Sequence, residues 1–299
     1  MSYSTPAAAG PTTPAFTTPE LDPEIWARLD AQAAECDKHG MLIIRDAVPP
    51  ETVERVRAAA DGIVEEARPA GRWVGKAHSV NKRVEYRGLF NLDERFMDLL
   101  VPPTVFPLIV RILGANLHMM SSQLLYAHPD QDPAAGNGEW HRDLIGSSED
   151  LGYDNTPRMA IRVGYYLSDV SLPGSGITLF VPGSHELKQR MPLDPDTGNP
   201  AHFERPDIRP GDAVLWENRT FHAPENNTSA DTRKAVMVQY GYRWVRPVDY
   251  ITHPRELLDR CDPVTRQLLE STDLNDDGSM TRMKGSRALT EWASRQNLA

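Results

Sequence analysis

Apolar residues recur at spacings of three and four over residues 23–39, where Ile25, Leu29, Ala33 and Cys36 fall on one side of a helix. Pro23 suits its first turn and Gly40 its C-terminal stop. MLIIR (41–45) reads as a short strand. Residues 49–68 return to helical spacing, with Val53, Val56, Ala60, Ile63, Val64 and Ala67 as the apolar stripe. Residues 95–114 hold one or two further short helices, broken at Pro102, Pro103 and Pro107. From about residue 117 the texture changes. HMMSSQLLYAHP, MAIRVGYYLSDV, GITLFVPGSH, DAVLWEN and KAVMVQYGYRWV are short, rich in β-branched and aromatic residues, and separated by Pro, Gly, Asn and Asp. Short strands with turn signals and no helix-length pattern between them predict a mainly β fold, a sandwich or barrel, with helices on either side. Residues 254–299 are helical in texture again.

These patterns divide the chain into a tail over residues 1–22 and a single domain over 23–299. The domain has a mainly helical part (23–116), a β core (117–250) and a helical C-terminal part (251–299). The tail is rich in Pro, Thr and Ala, buries too little apolar surface to offset the entropy of ordering, and reads as disordered.

Composition narrows the classes of function. Of 299 residues 40% are hydrophobic and 25% charged, with no run near the roughly 18 apolar residues that span a bilayer, so no membrane role is expected. A net charge of -10, from 32 basic and 42 acidic residues, argues against a basic face for nucleic acid. It leaves room for a small anionic ligand, which needs only one or two arginines. The two cysteines, Cys36 and Cys261, supply neither a disulfide framework nor a cysteine zinc site. The N-terminus lacks the positive start and apolar core of a secretory signal, so a cytoplasmic location is expected.

Candidate chemistry concentrates in three segments. GEWHRDLIG (138–146) carries His141 and Asp143, two apart and therefore on one side of an extended chain. Alone, such a pair is close to a chance event. GDAVLWENRTFHAPENNTSADTRKAV (211–236) adds His222 after a strand, and Arg233 at the start of the next. GSGITLFVPGSHELK (174–188) supplies a strand and a Pro-Gly turn between them. Two histidines and one carboxylate form the facial ligand set of non-haem Fe(II) oxygenases, which leaves three positions of a six-coordinate metal open. An arginine fork nearby is what a dicarboxylate cosubstrate would need.

WHRD, the FVPGSH turn, GDAVLW…FH with the late arginine, and the opening HGMLIIRDAVPPETVERVRAAA together resemble the phytanoyl-CoA dioxygenase family over residues 35–250. That family comprises Fe(II)- and 2-oxoglutarate-dependent oxygenases, including ectoine hydroxylase and natural-product tailoring enzymes, on a double-stranded β-helix (jelly roll). The resemblance implies that His141, Asp143 and His222 bind iron and that Arg233 holds the distal carboxylate of 2-oxoglutarate. It implies that Tyr126, Ser122 and Thr178 are further neighbours of the cosubstrate. The implied activity uses O2 to oxidise a small molecule, by hydroxylation of an unactivated C–H bond, with release of succinate and CO2. Asp143 occupies the position that related halogenases leave to a small residue, which favours oxygen transfer. Desaturation, epoxidation or cyclisation at the same centre, or a non-catalytic jelly-roll binding protein, remain open. Arginine outnumbers lysine 26 to 6, with abundant Ala and Pro, as in GC-rich bacterial genomes, and this points to a natural-product intermediate and secondary metabolism.

Arg162, a charge inside the strand MAIRVGYYL, either faces solvent or meets an anionic group of the substrate, and Trp140 and Arg83 are further candidate substrate contacts. Arg142, Arg158, Tyr165 and Tyr166 are weaker pocket candidates, and His185 reads as bonding its own turn. Residues 80–91, with Lys82, Arg83 and Arg87, and the loop 144–157 are expected near the pocket mouth. DLNDDG (273–278) matches half of a calcium loop, but Lys284 stands where a bidentate glutamate is required, so it reads as a turn. Sequence alone leaves the oligomeric state unread.

Overall fold

A computed structural model describes residues 14–70, 83–130, 136–250, 252–270 and 287–298. The calcium-like segment 273–284 and Lys82 lie outside these residues, as does the side chain of Arg83.

The helical expectations at the N-terminus rest on their caps. Helix α1 (Pro23–His39) starts where the Asp22 carboxylate accepts from the Glu24 N–H, and it ends at Gly40 in the left-handed region (φ 73°). Strand β1 (Met41–Ile44) follows, then α2 (Pro50–Ala70), whose Val53, Val56, Ala60 and Val64 are buried. A 3-10 turn (Glu94–Leu99) and α3 (Phe106–Leu113) fill the proline-broken stretch.

Six antiparallel strands form the major sheet: β1, β2 (Arg83–Arg87), β3 (Leu117–Ala127), β4 (Ala160–Tyr166), β6 (Ala213–Glu217) and β8 (Arg233–Tyr242), in the order β1-β6-β4-β8-β3-β2. The minor sheet pairs β5 (Thr178–Phe180) with β7 (His222–Pro224). It is widened by bridges from His141 to His222 and from Phe180 to Glu204. This is a jelly-roll core flanked by helices. The faces of the major sheet separate with period two. Ile161, Val163 and Tyr165 of β4, with Val236, Val238 and Tyr240 of β8, join the helices in one core. Val214, Trp216, Ala235 and Met237 pack with Leu179 and Phe180 between the sheets.

Strand β3 breaks this alternation. Its register with β8 shifts between Met119 and Ser121. Before the shift Leu117 and Met119 face the helices, and after it Leu124 and Tyr126 do. A single extra residue moves every later side chain to the opposite face.

The tail expectation is corrected for its described end. Ala15 and Phe16 donate backbone N–H groups to the Arg260 carbonyl (2.9 and 3.1 Å), Asp262 N–H donates to Phe16, and Trp292 Nε1 donates to the Pro19 carbonyl (3.2 Å). Phe16 and Leu21 also pack on the core. Composition missed this because the partners lie some 240 residues or more along the chain.

Gly40 ties α1 to the minor-sheet turn. Its carbonyl accepts from Thr220 Oγ1 (2.7 Å), and a Cβ there would overlap Thr220 Oγ1 and His185 Nδ1. Gly40→Ala adds left-handed strain to this overlap and is expected to cost about 2–4 kcal/mol, read as a lower urea midpoint at unchanged m-value. An unchanged midpoint would show that the contact yields freely.

Candidate metal centre

His141 and His222 are brought together by backbone pairing: each donates its N–H to the other's carbonyl at 3.0 Å, and their rings lie 4.3 Å apart. Each imidazole is oriented by its own chain. His141 Nδ1 meets the Glu139 carbonyl and His222 Nδ1 the Thr220 carbonyl, both at 2.9 Å. A carbonyl only accepts, so Nδ1 carries the proton and Nε2 keeps its lone pair, as a metal ligand requires.

Asp143 completes the group. Its Oδ2 accepts from Trp216 Nε1 (3.1 Å) and lies 3.0 Å from Arg162 Nε, while Oδ1 stands 3.9 Å from His222 Nε2. One donor atom from each of the three residues falls within 4.8 Å of the others, and no other such trio exists among the described residues. Burial lowers the His222 pKa to about 3, with nearby His141 adding to the effect, so its imidazole is neutral. Burial pushes the Asp143 carboxyl up, but Arg162, His222, His141 and the Trp216 hydrogen bond outweigh it and hold the group below its ordinary value. A carboxylate beside two imidazoles that each present Nε2 is a donor set for a divalent cation.

The residue between the ligands turns the other way. Arg142 is buried between the rings of Tyr153 and Phe221, its Cζ 5.0 and 4.9 Å from their centroids. It donates to the carbonyls of Ser184 (2.9 Å) and Leu187 (2.7 Å) in the Pro-Gly turn. Ser184 Oγ accepts from Phe221 N–H, and His185 Nε2 meets the Asp37 carbonyl (3.0 Å). The PGSH turn therefore braces the strand that carries His222. Arg158 pairs with the fully buried Glu217, away from the metal group.

The trio opens into a cavity of about 390 Å³. Arg233, at the start of β8, lines it. Burial depresses its pKa below the ordinary value, its Nε donates to the Gly176 carbonyl (2.8 Å), and its buried Nη1 has no hydrogen-bond partner. Thr178 lines the same wall and accepts from the Tyr166 hydroxyl (3.0 Å). Arg162 faces the cavity rather than solvent, beside Asp143.

Three expected contacts are placed elsewhere. Tyr126 donates to Asp61 (2.5 Å) on the helix side, and Ser122 Oγ accepts from Leu89 N–H (2.9 Å). The shift in β3 turns both away, and Gln123 and Leu125 line the cavity instead. Trp140 precedes a ligand on an extended segment and so faces away from it. Its Nε1 donates to Asn199 and its ring packs on Phe203. For Arg83 only the backbone position at the start of β2 is described. Glu85 and Arg87 of that strand line the cavity, as do Leu144, Ile145 and Val248. Sequence reasoning passed over Met237 and Gln239, although alternation outward from Arg233 reaches both.

The family model for phytanoyl-CoA dioxygenase (PhyH) matches residues 36–235. Dioxygenase cdmD of Talaromyces verruculosus is 23% identical over 265 residues, covering 81% of this chain and 83% of that protein. Two solved structures share the fold. One is the epimerase SnoN in complex with Fe3+, alpha-ketoglutarate and nogalamycin RO, at 18% identity and a TM-score of 0.53, covering 73% of this chain and 84% of that one. The other is HygX of Streptomyces hygroscopicus with nickel, 2-oxoglutarate and hygromycin B bound, at 18% identity and a TM-score of 0.55, covering 76% and 93%.

Proposed function

The chain belongs to the phytanoyl-CoA dioxygenase family of oxidoreductases, and on that premise we propose that it is a Fe(II)- and 2-oxoglutarate-dependent oxygenase that hydroxylates an unactivated C–H bond of a natural-product intermediate. One observation carries the reading. Two imidazole Nε2 atoms and one carboxylate oxygen converge in the same cavity as a buried guanidinium whose Nη1 has no partner. The donor set suits Fe(II), and the orphaned guanidinium suits the distal carboxylate of a dicarboxylate.

In this reading His141, Asp143 and His222 hold the metal, with Asp143 giving Oδ1 while Trp216 and Arg162 keep Oδ2 engaged. Arg233 receives the cosubstrate's far end, with Thr178 beside it. When bound, iron with 2-oxoglutarate and O2 supplies the oxidising power, turning 2-oxoglutarate into succinate and CO2 while the substrate C–H bond is oxidised. The protein's part is to orient and to exclude water. Trp216 and Phe180 pack on His222, with ring centroids 5.3 and 6.1 Å away, and would keep water from that side of the ligand group. Leu144, Ile145 and Val248, which line the same cavity, would offer apolar surface to a small organic substrate. SnoN and HygX, which hold nogalamycin RO and hygromycin B, support a natural product as that substrate. No helix among the described residues is long and apolar enough to cross a membrane. We place the enzyme in the cytoplasm, where Fe(II) and 2-oxoglutarate are at hand.

The test is succinate formation by purified protein given 2-oxoglutarate and O2. It is expected to require added Fe(II) and to stop with a chelator. Failure to bind both Fe(II) and 2-oxoglutarate would overturn the reading.

A further inference from the structure

The charges facing the cavity do not balance. Among the residues lining the cavity Arg87, Arg162 and Arg233 stand against Glu85 and Asp143, so with the imidazoles serving as uncharged metal ligands the lining carries one net positive charge, while Asp249, outside the lining, also acts on Arg87 and Arg162. A ferrous ion and a 2-oxoglutarate dianion together leave that count unchanged. An anion is favoured at the part of the lining where a guanidinium keeps unused donors.

The contacts locate the surplus. Arg87 is paired with Glu85 at 2.6 Å. Arg233 is committed to the cosubstrate. Arg162 faces Asp143, whose charge the metal claims, and its hydrogen bonds go to neutral groups, Nη1 donating to Gln123 Oε1 (3.0 Å) and Nη2 to Gln239 Oε1 (3.4 Å), while the Asp249 carboxylate acts on it from further off. In the sheet register Arg162 stands opposite Gln239, and Gln123 opposite Arg87, so these groups form a band across the strands. A guanidinium carries five N–H groups, the two hydrogen bonds to the glutamines use two, and the buried Nε has no hydrogen-bond partner. The buried Nε2 of Gln239 has no hydrogen-bond partner. With both glutamine oxygens turned to Arg162, the band has donors to spare and lacks acceptors.

We propose that this band is a substrate subsite for a carboxylate: the molecule oxidised carries a single carboxylate that docks on Arg162 and Gln239, with its apolar part along Leu144, Ile145 and Val248. The proposal rests on the oxygenase reading above and adds the substrate's chemical class. The fork of Arg162 suits two carboxylate oxygens, and docking there lays the substrate beside the metal carboxylate.

The test uses protein loaded with Ni(II) and N-oxalylglycine, an unreactive 2-oxoglutarate analogue, so that the Arg233 position is already filled. Benzoate and its neutral counterpart benzamide are then titrated by calorimetry. Benzoate is expected to bind at least about tenfold more tightly than benzamide, and Arg162→Gln to erase the difference while Arg87→Gln keeps it. Where Arg162→Gln does not fold or load, Gln239→Met is expected to weaken benzoate but not benzamide. Absence of benzoate binding, equal binding of the two probes, or a preference that survives Arg162→Gln and Gln239→Met would overturn the subsite alone. Failure of Ni(II) and N-oxalylglycine to bind would overturn the oxygenase reading and the subsite with it.

Discussion

His222→Ala is expected to weaken binding of a divalent metal by more than about 100-fold and to abolish 2-oxoglutarate turnover. Loss of a partner that merely orients a ligand costs about 10–100-fold in metal affinity. His222 is itself one of three donors, so its loss costs more. It is also poorly replaced from nearby, being 5% exposed and packed against Trp216 and Phe180. The fold should survive. The side chain's one internal hydrogen bond, Nδ1 to the Thr220 carbonyl, is worth about 1 kcal/mol, and the backbone exchange with His141 does not involve the imidazole. Thermal unfolding with and without Fe(II) or Ni(II) separates the two effects. At a metal concentration about 100 times the dissociation constant, the wild-type protein gains about 2.7 kcal/mol. The variant should unfold normally without metal and gain nothing from it. A variant stabilised as much as the wild type would remove His222 from the metal site.

Much of this site is readable in the sequence because its parts are local. His141 and Asp143 share a face by spacing alone, and their neighbours Trp140 and Arg142 must then face away. The caps of α1, Asp22 and Gly40, are equally local. What escaped depends on geometry that residue types do not carry. Nearly every residue of β3 is buried on both faces, so the hydrophobic pattern says nothing about which side is which. The shift between Met119 and Ser121 then exchanges Ser122 and Tyr126 for Gln123 and Leu125. Arg162 posed a choice between solvent and pocket that only the sheet order resolves, since β4 lies between β6 and β8 in the middle of the major sheet. The docking of residues 15–21 on the C-terminal segments is likewise invisible to local pattern, because an extended proline-rich stretch becomes ordered only when partners arrive from the far end of the chain.

Arg233→Gln is expected to weaken 2-oxoglutarate binding by about 30-fold or more while leaving the protein without cosubstrate no less stable. The two halves have one cause. The guanidinium is 3% exposed, its Nε is used by the Gly176 carbonyl, and its Nη1 has no partner. The nearest carboxylate that favours its charge, Glu225, is engaged by Arg205 at 3.0 Å and by the N–H groups of Gly174 and Gly176. A buried cation so placed costs free energy in the empty protein, and a neutral amide of similar reach relieves that cost while still donating to Gly176. Once a dicarboxylate is bound the balance reverses. The guanidinium then supplies a bidentate pair out of water, and truncating one partner of such a pair costs about 2–5 kcal/mol, or roughly 30-fold to several thousand-fold in affinity. Calorimetry on the Ni(II)-loaded protein reads this directly, with 2-oxovalerate as the internal control. That acid keeps the 2-oxo-acid end and lacks the distal carboxylate, so wild type and variant should bind it alike. Equal losses for both acids would mean that Arg233 acts by shaping the cavity, and an unchanged affinity for 2-oxoglutarate would remove it from the cosubstrate site. Arg233→Lys distinguishes charge from shape: an ammonium restores the charge without the fork, and its affinity for 2-oxoglutarate should fall between those of wild type and Arg233→Gln.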